Sequence, residues 1–202
     1  TKTDFIQYLN CPESLWLLKN KKEEYSKLKG EFSEFQKKII NEGHEVEKYA
    51  EQLFPEAINI QTGNTSVEET KEKLSGHGVS FLQPSFSALG VFARIDILER
   101  LDENTYHIYE VKSSTSIKIK KTQNHIIDAS FQKHVMENAG YSVSKISLIY
   151  LDKSYRKNGE IIASDLLKVE EITDRVNEIY NETSNNIKKA IIFINLEIID
   201  EN

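Results

Sequence analysis

The chain has 202 residues with a formal net charge of −6, and 39% of them are hydrophobic while 29% are charged. These fractions are typical of a soluble globular protein that is long enough to bury a core in one domain. The acidic balance argues against broad nonspecific binding to nucleic acid, which uses a basic surface. The single cysteine, Cys11, excludes an internal disulfide framework and a multi-cysteine zinc site within this sequence.

No apolar run approaches the roughly 20 residues that span a bilayer. The first residues also lack the apolar segment of a signal peptide. We therefore expect a cytoplasmic protein with no membrane partner. The first residue is not Met, and the segment AIIFINLEII near the end would expose a sticky apolar patch at a free terminus. Both features predict a piece of a longer protein.

Three helices are predicted in the first quarter of the chain, over residues 3–9, in the segment CPESLWLLKN and over residues 32–54. The third places a stripe of mostly apolar residues on one face, namely Ile39, Gly43, Val46, Ala50 and Leu53. His44 falls nearly opposite that stripe, so it is either an ordinary exposed residue or one aimed into a cleft. Glu47 and Glu51 are interpreted as solvated charges.

A short strand over residues 57–61, a helix over 67–74 and a strand over 79–88 are predicted next. Pro84 interrupts the second strand, which predicts an edge or bulged strand. Beyond a central hairpin come a helix over 128–139, an apolar strand over 143–151 and an amphipathic helix over 171–189. On the helix over 128–139, Asp128 and Gln132 stack four residues apart on one face.

The central hairpin is predicted over residues 91–112. Residues 91–100 alternate apolar and polar, residues 102–105 are turn formers, and residues 106–112 are rich in aromatic and β-branched side chains. If the turn has an odd number of residues centred near Glu103, Asp96 faces Glu110 across the ladder with Cβ atoms roughly 5 Å apart. Lys112 lies two residues beyond Glu110 and therefore points to the same face of the sheet.

This trio has a functional and an ordinary interpretation. Two facing carboxylates repel each other and resist joint ionisation, and a Mg²⁺ ion with its oxygen ligands would resolve the conflict. An ammonium group beside such a site orients or polarises an attacking water and offsets charge on a phosphoryl group. The ordinary interpretation is a cross-strand set of solvated ion pairs that contributes little.

Two lysine clusters stand out against the acidic background, one formed by Lys19, Lys21 and Lys22 and the other by Lys118, Lys120 and Lys121. The second cluster follows the Glu-x-Lys strand directly, so it is the candidate for local contact with nucleic acid. A solvated basic surface is the alternative for both clusters.

Five segments appear in an order that resembles the PD-(D/E)XK nuclease superfamily: DFIQYLNCPESLWL, GHEVEKYAEQLFP, ARIDILER, YHIYEVKSST and DASFQKHV. The chain looks most like the RecB-like branch, which includes the CRISPR-associated exonucleases and an uncharacterised bacterial domain family related to them. The resemblance implies an α/β fold with a restriction-endonuclease-like core, in which helices flank a mixed central β-sheet. Residues 1–170 would form this nuclease domain, and residues 171–202 a helix and apolar tail that lead into a missing C-terminal region.

The resemblance also implies a role for individual residues. Three side chains would ligate Mg²⁺ or Mn²⁺, with the Val111 carbonyl as a further ligand; they are His44, Asp96 and Glu110. Lys112 would be the catalytic lysine, beside the catalytic carboxylates Asp96 and Glu110. Gln132 would touch the DNA backbone, together with the basic cluster Lys118, Lys120 and Lys121.

The chain departs from this branch at three places. Ile95 stands where the motif's name has proline, and Met136 stands where a tyrosine often follows the glutamine. Cys11 matches the first of four cysteines that hold an iron–sulfur cluster in the CRISPR-associated relatives, and the other three are absent. Since such clusters use four thiolates, this cofactor is expected only with cysteines from outside the sequence.

The expected function is therefore a metal-dependent nuclease that hydrolyses phosphodiester bonds of DNA. Its partners would be DNA and, beyond it, the missing C-terminal region or other proteins of repair or defence. The alternative is a non-catalytic nucleic-acid-binding or assembly module on the same fold. A third possibility is a structural domain whose carboxylate cluster is incidental.

Overall fold

The computed structural model describes residues 1–29, 33–120 and 123–199. The helices within these ranges are α1 (Lys2–Asn10), α2 (Pro12–Asn20), α3 (Lys22–Lys29), α4 (Glu34–Glu51), α5 (Ser66–Ser75), α6 (His125–Asn138), α7 (Ala163–Leu166) and α8 (Thr173–Ile194). The strands are β1 (Ile58–Asn59), β2 (Ser80–Leu82), β3 (Ser85–Ala88), β4 (Val91–Arg94), β5 (Ile97–Asp102), β6 (Thr105–Lys112), β7 (Ile119–Lys120), β8 (Gln123–Asn124), β9 (Ser142–Leu151) and β10 (Leu167–Glu171).

A six-stranded mixed sheet lies at the centre, in the order β1-β2-β5-β6-β9-β10. Strand β6 is antiparallel to β5 and parallel to β9, and α6 makes the crossover that a parallel pair requires. Strands β1 and β2 are parallel, and the remaining neighbours are antiparallel. The prediction of an α/β protein with a mixed central sheet flanked by helices is confirmed.

Two apolar clusters cover the two faces of this sheet. The larger one joins α1, α6 and α8 to the sheet through fully buried side chains such as Phe131, Ile108 and Val176. The smaller one packs Val46 and Ala50 of α4 against the other face. Because α8 belongs to the larger cluster, it shares its core with the part of the chain predicted as the nuclease domain.

Two strands that were predicted as continuous are each divided in the structure. The segment 79–88 splits at Gln83 and Pro84 into β2 and β3, and 91–100 splits at Ile95 and Asp96 into β4 and β5. Strands β3 and β4 form a separate two-stranded sheet. The residues at the two breaks are hydrogen-bonded to each other. Gln83 N donates to Asp96 O at 3.0 Å, and Ile95 N donates to Pro84 O at 2.9 Å. Gln83 has a φ of 58°, in the left-handed region, which bends the chain out of the central sheet.

Helix α4 buries less of its predicted stripe than expected. Val46 and Ala50 are buried, but Ile39 in its first half is 45% exposed. A capping box between Ser33 and Gln36 satisfies the free backbone groups at its start. The buried residues of α4 thus lie in its second half, which also carries His44 and Glu47.

Helix α8 is longer than the predicted helix over 171–189. It continues through Ile194 and takes in the first half of the apolar segment, where Ala190 is buried. The remaining apolar side chains include Ile192 and Ile198, which are exposed. Among the described helices, none is both long enough and apolar enough to cross a membrane.

Candidate active site

The candidate site lies where the β5–β6 ladder ends. The last paired residues there are Ile97 and Tyr109, so Asp96 and Glu110 are the next residues on the two strands. This is the register that the sequence predicts. The backbone N–H of Val111 donates to Asp96 Oδ2 at 2.7 Å, which fixes the Asp96 carboxylate beside β6.

Glu110 is the centre of the cluster and is only 1% exposed. Its Oε1 accepts from Lys112 Nζ at 2.7 Å and from Lys2 Nζ at 2.5 Å. Its Oε2 accepts from the side-chain amide of Gln132. A buried carboxylate with three charged or polar donors is held in one orientation, as a metal ligand or catalytic group needs to be.

Helix α6 supplies the next layer of contacts from one face. Asn124 caps its start by accepting from the N–H groups of Ile126 and Ile127. Asp128 accepts from Lys112 Nζ at 2.5 Å, and Gln132, one turn later, reaches Glu110. The predicted stacking of these two residues on one face thus places both at the site.

Gln132 is fully buried. Besides Glu110, its amide nitrogen donates to the carbonyl of Arg94 at 3.3 Å, while its Oε1 has no partner among the described residues. In this position Gln132 supports Glu110 from behind. Direct contact with a DNA backbone, its expected role, would require it to become exposed.

The charges of the cluster perturb one another strongly. Burial and the neighbouring charge of Glu110 raise the pKa of Asp96 well above its usual range. Burial acts in the same direction on Glu110, but the ammonium groups of Lys112 and Lys2 hold the pKa of Glu110 well below its usual range. Burial disfavours the charged form of Lys112, yet the carboxylates of Glu110 and Asp128 raise its pKa. Two carboxylates with such different proton affinities, beside a charged lysine, are typical of a functional site.

Glu47 on α4 lies within electrostatic range of this site, which the sequence interpretation missed. It is half-buried, and burial together with the charge of Glu110 raises its pKa, against the opposite effect of His44. His44 itself is exposed on α4. The signal that could have identified Glu47 is its position next to buried Val46, at the edge of the packed half of the helix.

The expected ligand trio of His44, Asp96 and Glu110 is not assembled. In residues 1–29, 33–120 and 123–199, no three His, Cys, Asp or Glu side chains are close enough to hold a metal ion. The Asp96 and Glu110 pair nevertheless fits Mg²⁺ or Mn²⁺, because Mg²⁺ is commonly held by one or two carboxylates and completes its shell with waters. The unpartnered, buried Oε1 of Gln132 beside Glu110 is an acceptor that a coordinated water would satisfy.

The predicted basic cluster lies on the β7–β8 hairpin just before α6. Lys120 is exposed and Lys118 half-buried, while Lys121 falls outside the described residues. Cys11, the expected cluster cysteine, is exposed between α1 and α2, with its Sγ 3.5 Å from Glu13 Oε2. The carbonyl of Val111 stays a predicted ligand.

His125, the first residue of α6, is hydrogen-bonded to Lys118 next to β7 and makes the stability of the fold sensitive to acid. It is 1% exposed, its Nδ1 accepts from Lys118 N at 3.2 Å, and its Nε2 has no partner among the described residues. Burial and the charge of Lys112 lower the pKa of His125 to about 4. The unfolded chain, with a pKa near 6.5, therefore binds a proton more readily than the folded protein.

We expect the free energy of unfolding to be fully supported by neutral His125 above pH 6.5 and to fall between pH 6.5 and about 4. The His125 contribution to this fall is at most roughly 3 kcal/mol, since each pKa unit corresponds to 1.36 kcal/mol. Urea unfolding at several pH values measures this contribution. It is the difference between the native chain and His125→Gln in the slope of the unfolding free energy against pH. His77→Gln, at an exposed position, is the control. Identical pH profiles for the native chain and His125→Gln would contradict the prediction.

No protein-family model matches this sequence, and no curated protein matches it either. The nuclease resemblance therefore stays a prediction, and the geometry of the cluster is what supports a function.

Proposed function

We propose that the protein is a metal-dependent nuclease that hydrolyses phosphodiester bonds of DNA. The observation that carries this proposal is the arrangement of Asp96 and buried Glu110 at one end of the β5–β6 ladder, with the Lys112 ammonium 2.7 Å from Glu110. A purely structural ion pair does not need a second carboxylate placed where it repels the first.

In this proposal Asp96 and Glu110 hold one divalent cation. A bound Mg²⁺ or Mn²⁺ would supply Lewis-acid chemistry at the scissile phosphate and at the attacking water. Gln132 keeps the Glu110 carboxylate in a fixed orientation through its amide. The Val111 N–H does the same for Asp96.

Lys112 is the proposed catalytic lysine. Asp128 holds its ammonium at 2.5 Å, so the group stays charged and its position is fixed before any substrate arrives. A fixed ammonium beside the carboxylates orients a water and stabilises the negative charge that develops on the phosphate. Asp128 is in this view a positioning residue that acts through Lys112.

The order of elements supports a restriction-endonuclease-like core for this site. Helix α4, strands β2, β5 and β6, helix α6 and strand β9 follow one another, with the carboxylates on β6 and just before β5. DNA would approach over the lysines of the β7–β8 hairpin, which offset the acidic balance of the chain locally.

The proposal is tested by incubating end-labelled single- and double-stranded DNA with the native chain, Asp96→Asn and Asp102→Asn in Mn²⁺, Mg²⁺ or EDTA. Asp102 is exposed on the same hairpin and serves as the matched control. We expect metal-dependent products from the native chain and the control, and a rate at least about 100-fold lower from Asp96→Asn. Equal cleavage by Asp96→Asn, or cleavage in EDTA, would contradict the proposal.

One observation favours a non-catalytic nucleic-acid-binding module as the second candidate. Lys2 and Lys112 already neutralise Glu110 within the protein, and such a buried ion-pair cluster can persist as a purely structural feature. This candidate predicts DNA binding that leaves the strands intact and does not depend on Mn²⁺. Intact labelled DNA, shifted on a native gel equally by the native chain and Asp96→Asn, would favour it.

A further inference from the structure

Lys2 is the first residue of α1, and its ammonium reaches into the carboxylate cluster from outside the sheet. Resting on the proposed function, we propose that Lys2 and the divalent cation compete for Glu110, so that Lys2 leaves the cluster when the cation binds. Lys2 would then be an autoinhibitory contact that sets the metal affinity of the site.

The first support is the crowding of Glu110. Its Oε1 accepts from both Lys2 and Lys112, and its Oε2 accepts from Gln132. Both acceptor positions on Oε1 are therefore in use. Coordination of a cation through that oxygen requires one of the two ammonium groups to leave.

The second support is electrostatic. The Lys2 ammonium interacts not only with Glu110 but also with Asp96 and Asp128, so it lies among the carboxylates that would attract a metal ion. A divalent cation bound between Asp96 and Glu110 would lie close to that ammonium, and two positive charges at such a distance in a partly buried site repel each other strongly. Binding of one disfavours binding of the other.

The third support identifies Lys2, rather than Lys112, as the group that leaves. Lys112 is held by two carboxylates, Glu110 and Asp128, and its side chain is 17% exposed. Within the part of the chain that the structure describes, Lys2 makes one ion pair, to Glu110, and its side chain is 31% exposed. A lysine stem is flexible and its ammonium is readily hydrated, so a cation displaces Lys2 into solvent more easily than it displaces Lys112.

The helix need not move when the Lys2 side chain leaves. The capping box between Thr1 and Asp4 closes the first turn of α1, and Phe5 anchors the helix in the core at 3% exposure. Phe5 also stacks on Phe131 of α6. The displacement is therefore confined to one side chain at the entrance of the site.

The experiment measures Mn²⁺ affinity, without substrate, from the electron paramagnetic resonance signal of free Mn²⁺. The variants are Lys2→Met, which keeps the length of the stem, and Lys2→Gln, which keeps a donor for Glu110; both lack the charge. Lys19→Met is the matched control. Lys19 lies on α2 and makes an ion pair at 2.8 Å with Asp4 of α1, the helix that carries Lys2. Circular dichroism confirms that each variant is folded.

We expect Lys2→Met to bind Mn²⁺ at least about tenfold more tightly than the native chain, because a competing positive charge has been removed. Lys2→Gln should show the same direction of change, so a poorly folded Lys2→Met would not prevent the test. Lys19→Met should bind as the native chain does. Unchanged or weaker Mn²⁺ binding by both charge-removing variants would overturn the role of Lys2 while leaving the metal site standing. Absence of Mn²⁺ binding in every variant would overturn both this inference and the proposed function.

Discussion

We expect Glu110→Gln to abolish the proposed metal-dependent cleavage, with a loss of about 10³-fold or more in rate. The substitution removes the negative charge that attracts the cation and leaves the shape of the side chain unchanged. Because Glu110 is buried and accepts from Lys2, Lys112 and Gln132, its carboxylate is fixed at the centre of the cluster. Mn²⁺ binding should be lost together with cleavage, which distinguishes a ligand from a residue that acts only in the chemical step.

The matched control for this prediction is Glu99→Gln. Glu99 lies on the same hairpin, but its side chain accepts from Tyr109 and belongs to the other face of the sheet. The Glu99→Gln variant should cleave DNA at the native rate. Glu110→Gln will also lower the melting temperature, since two ammonium groups lose a carboxylate partner, so rates are compared at a temperature where both variants are folded. Native cleavage by folded Glu110→Gln would refute the assignment.

Lys112→Met is the second substitution with a large expected effect. The cleavage rate should fall roughly 10²–10³-fold, because a fixed ammonium that orients water and stabilises phosphate charge is lost. Mn²⁺ binding should be retained or strengthened, since a positive charge near the cation is removed while Asp96 and Glu110 remain. This separation of cleavage from metal binding is the signature of a catalytic lysine.

Lys145→Met provides the control for Lys112→Met. Lys145 is exposed on β9, the strand next to β6, and belongs to neither the carboxylate cluster nor its neighbours on α6. It should retain both cleavage and Mn²⁺ binding. A Lys112→Met enzyme that cuts DNA at the native rate in a clean preparation would remove Lys112 from the mechanism.

The hairpin at the centre of the site could be predicted from sequence because its signals are local. Alternation with a period of two fixes which residues share a face. The observed turn has only two residues, Glu103 and Asn104, between the paired Asp102 and Thr105, and a register shift between Arg100 and Asp102 restores the predicted register. The observed pairing of Ile97 with Tyr109 confirms that register, and the bond between Lys112 and Glu110 confirms the shared face. On α6, the spacing of Asp128 and Gln132 was informative for the same reason.

Other members of the site depend on tertiary packing and left no local signal. Lys2 reaches Glu110 across 108 residues of sequence, so nothing near the hairpin could indicate it. On α4 the choice between His44 and Glu47 depends on how the helix is rotated against the sheet. The predicted apolar stripe did not give this rotation correctly, because Ile39, in the first half of the helix, is exposed and does not pack against the core.

The division of the predicted strands also follows from packing. A single-sequence pattern reads 91–100 as one strand, yet the strand is interrupted at Ile95 and Asp96. The residues opposite are Gln83, with a left-handed φ of 58°, and Pro84, which has no N–H to donate to a ladder. This interruption allows Asp96 to point at the N–H of Val111 instead of continuing the ladder. The feature that breaks the sequence pattern is thus the one that places the Asp96 carboxylate beside β6.

Asp96 and Glu110 are proposed to bind a divalent cation together. This binding is measured by titrating Mn²⁺ into the native chain and into the Asp96→Asn, Glu110→Gln double variant and following the electron paramagnetic resonance signal of free Mn²⁺. We expect the native chain to remove Mn²⁺ from solution and the folded double variant to leave it free. Equal free Mn²⁺ in the two titrations would contradict it.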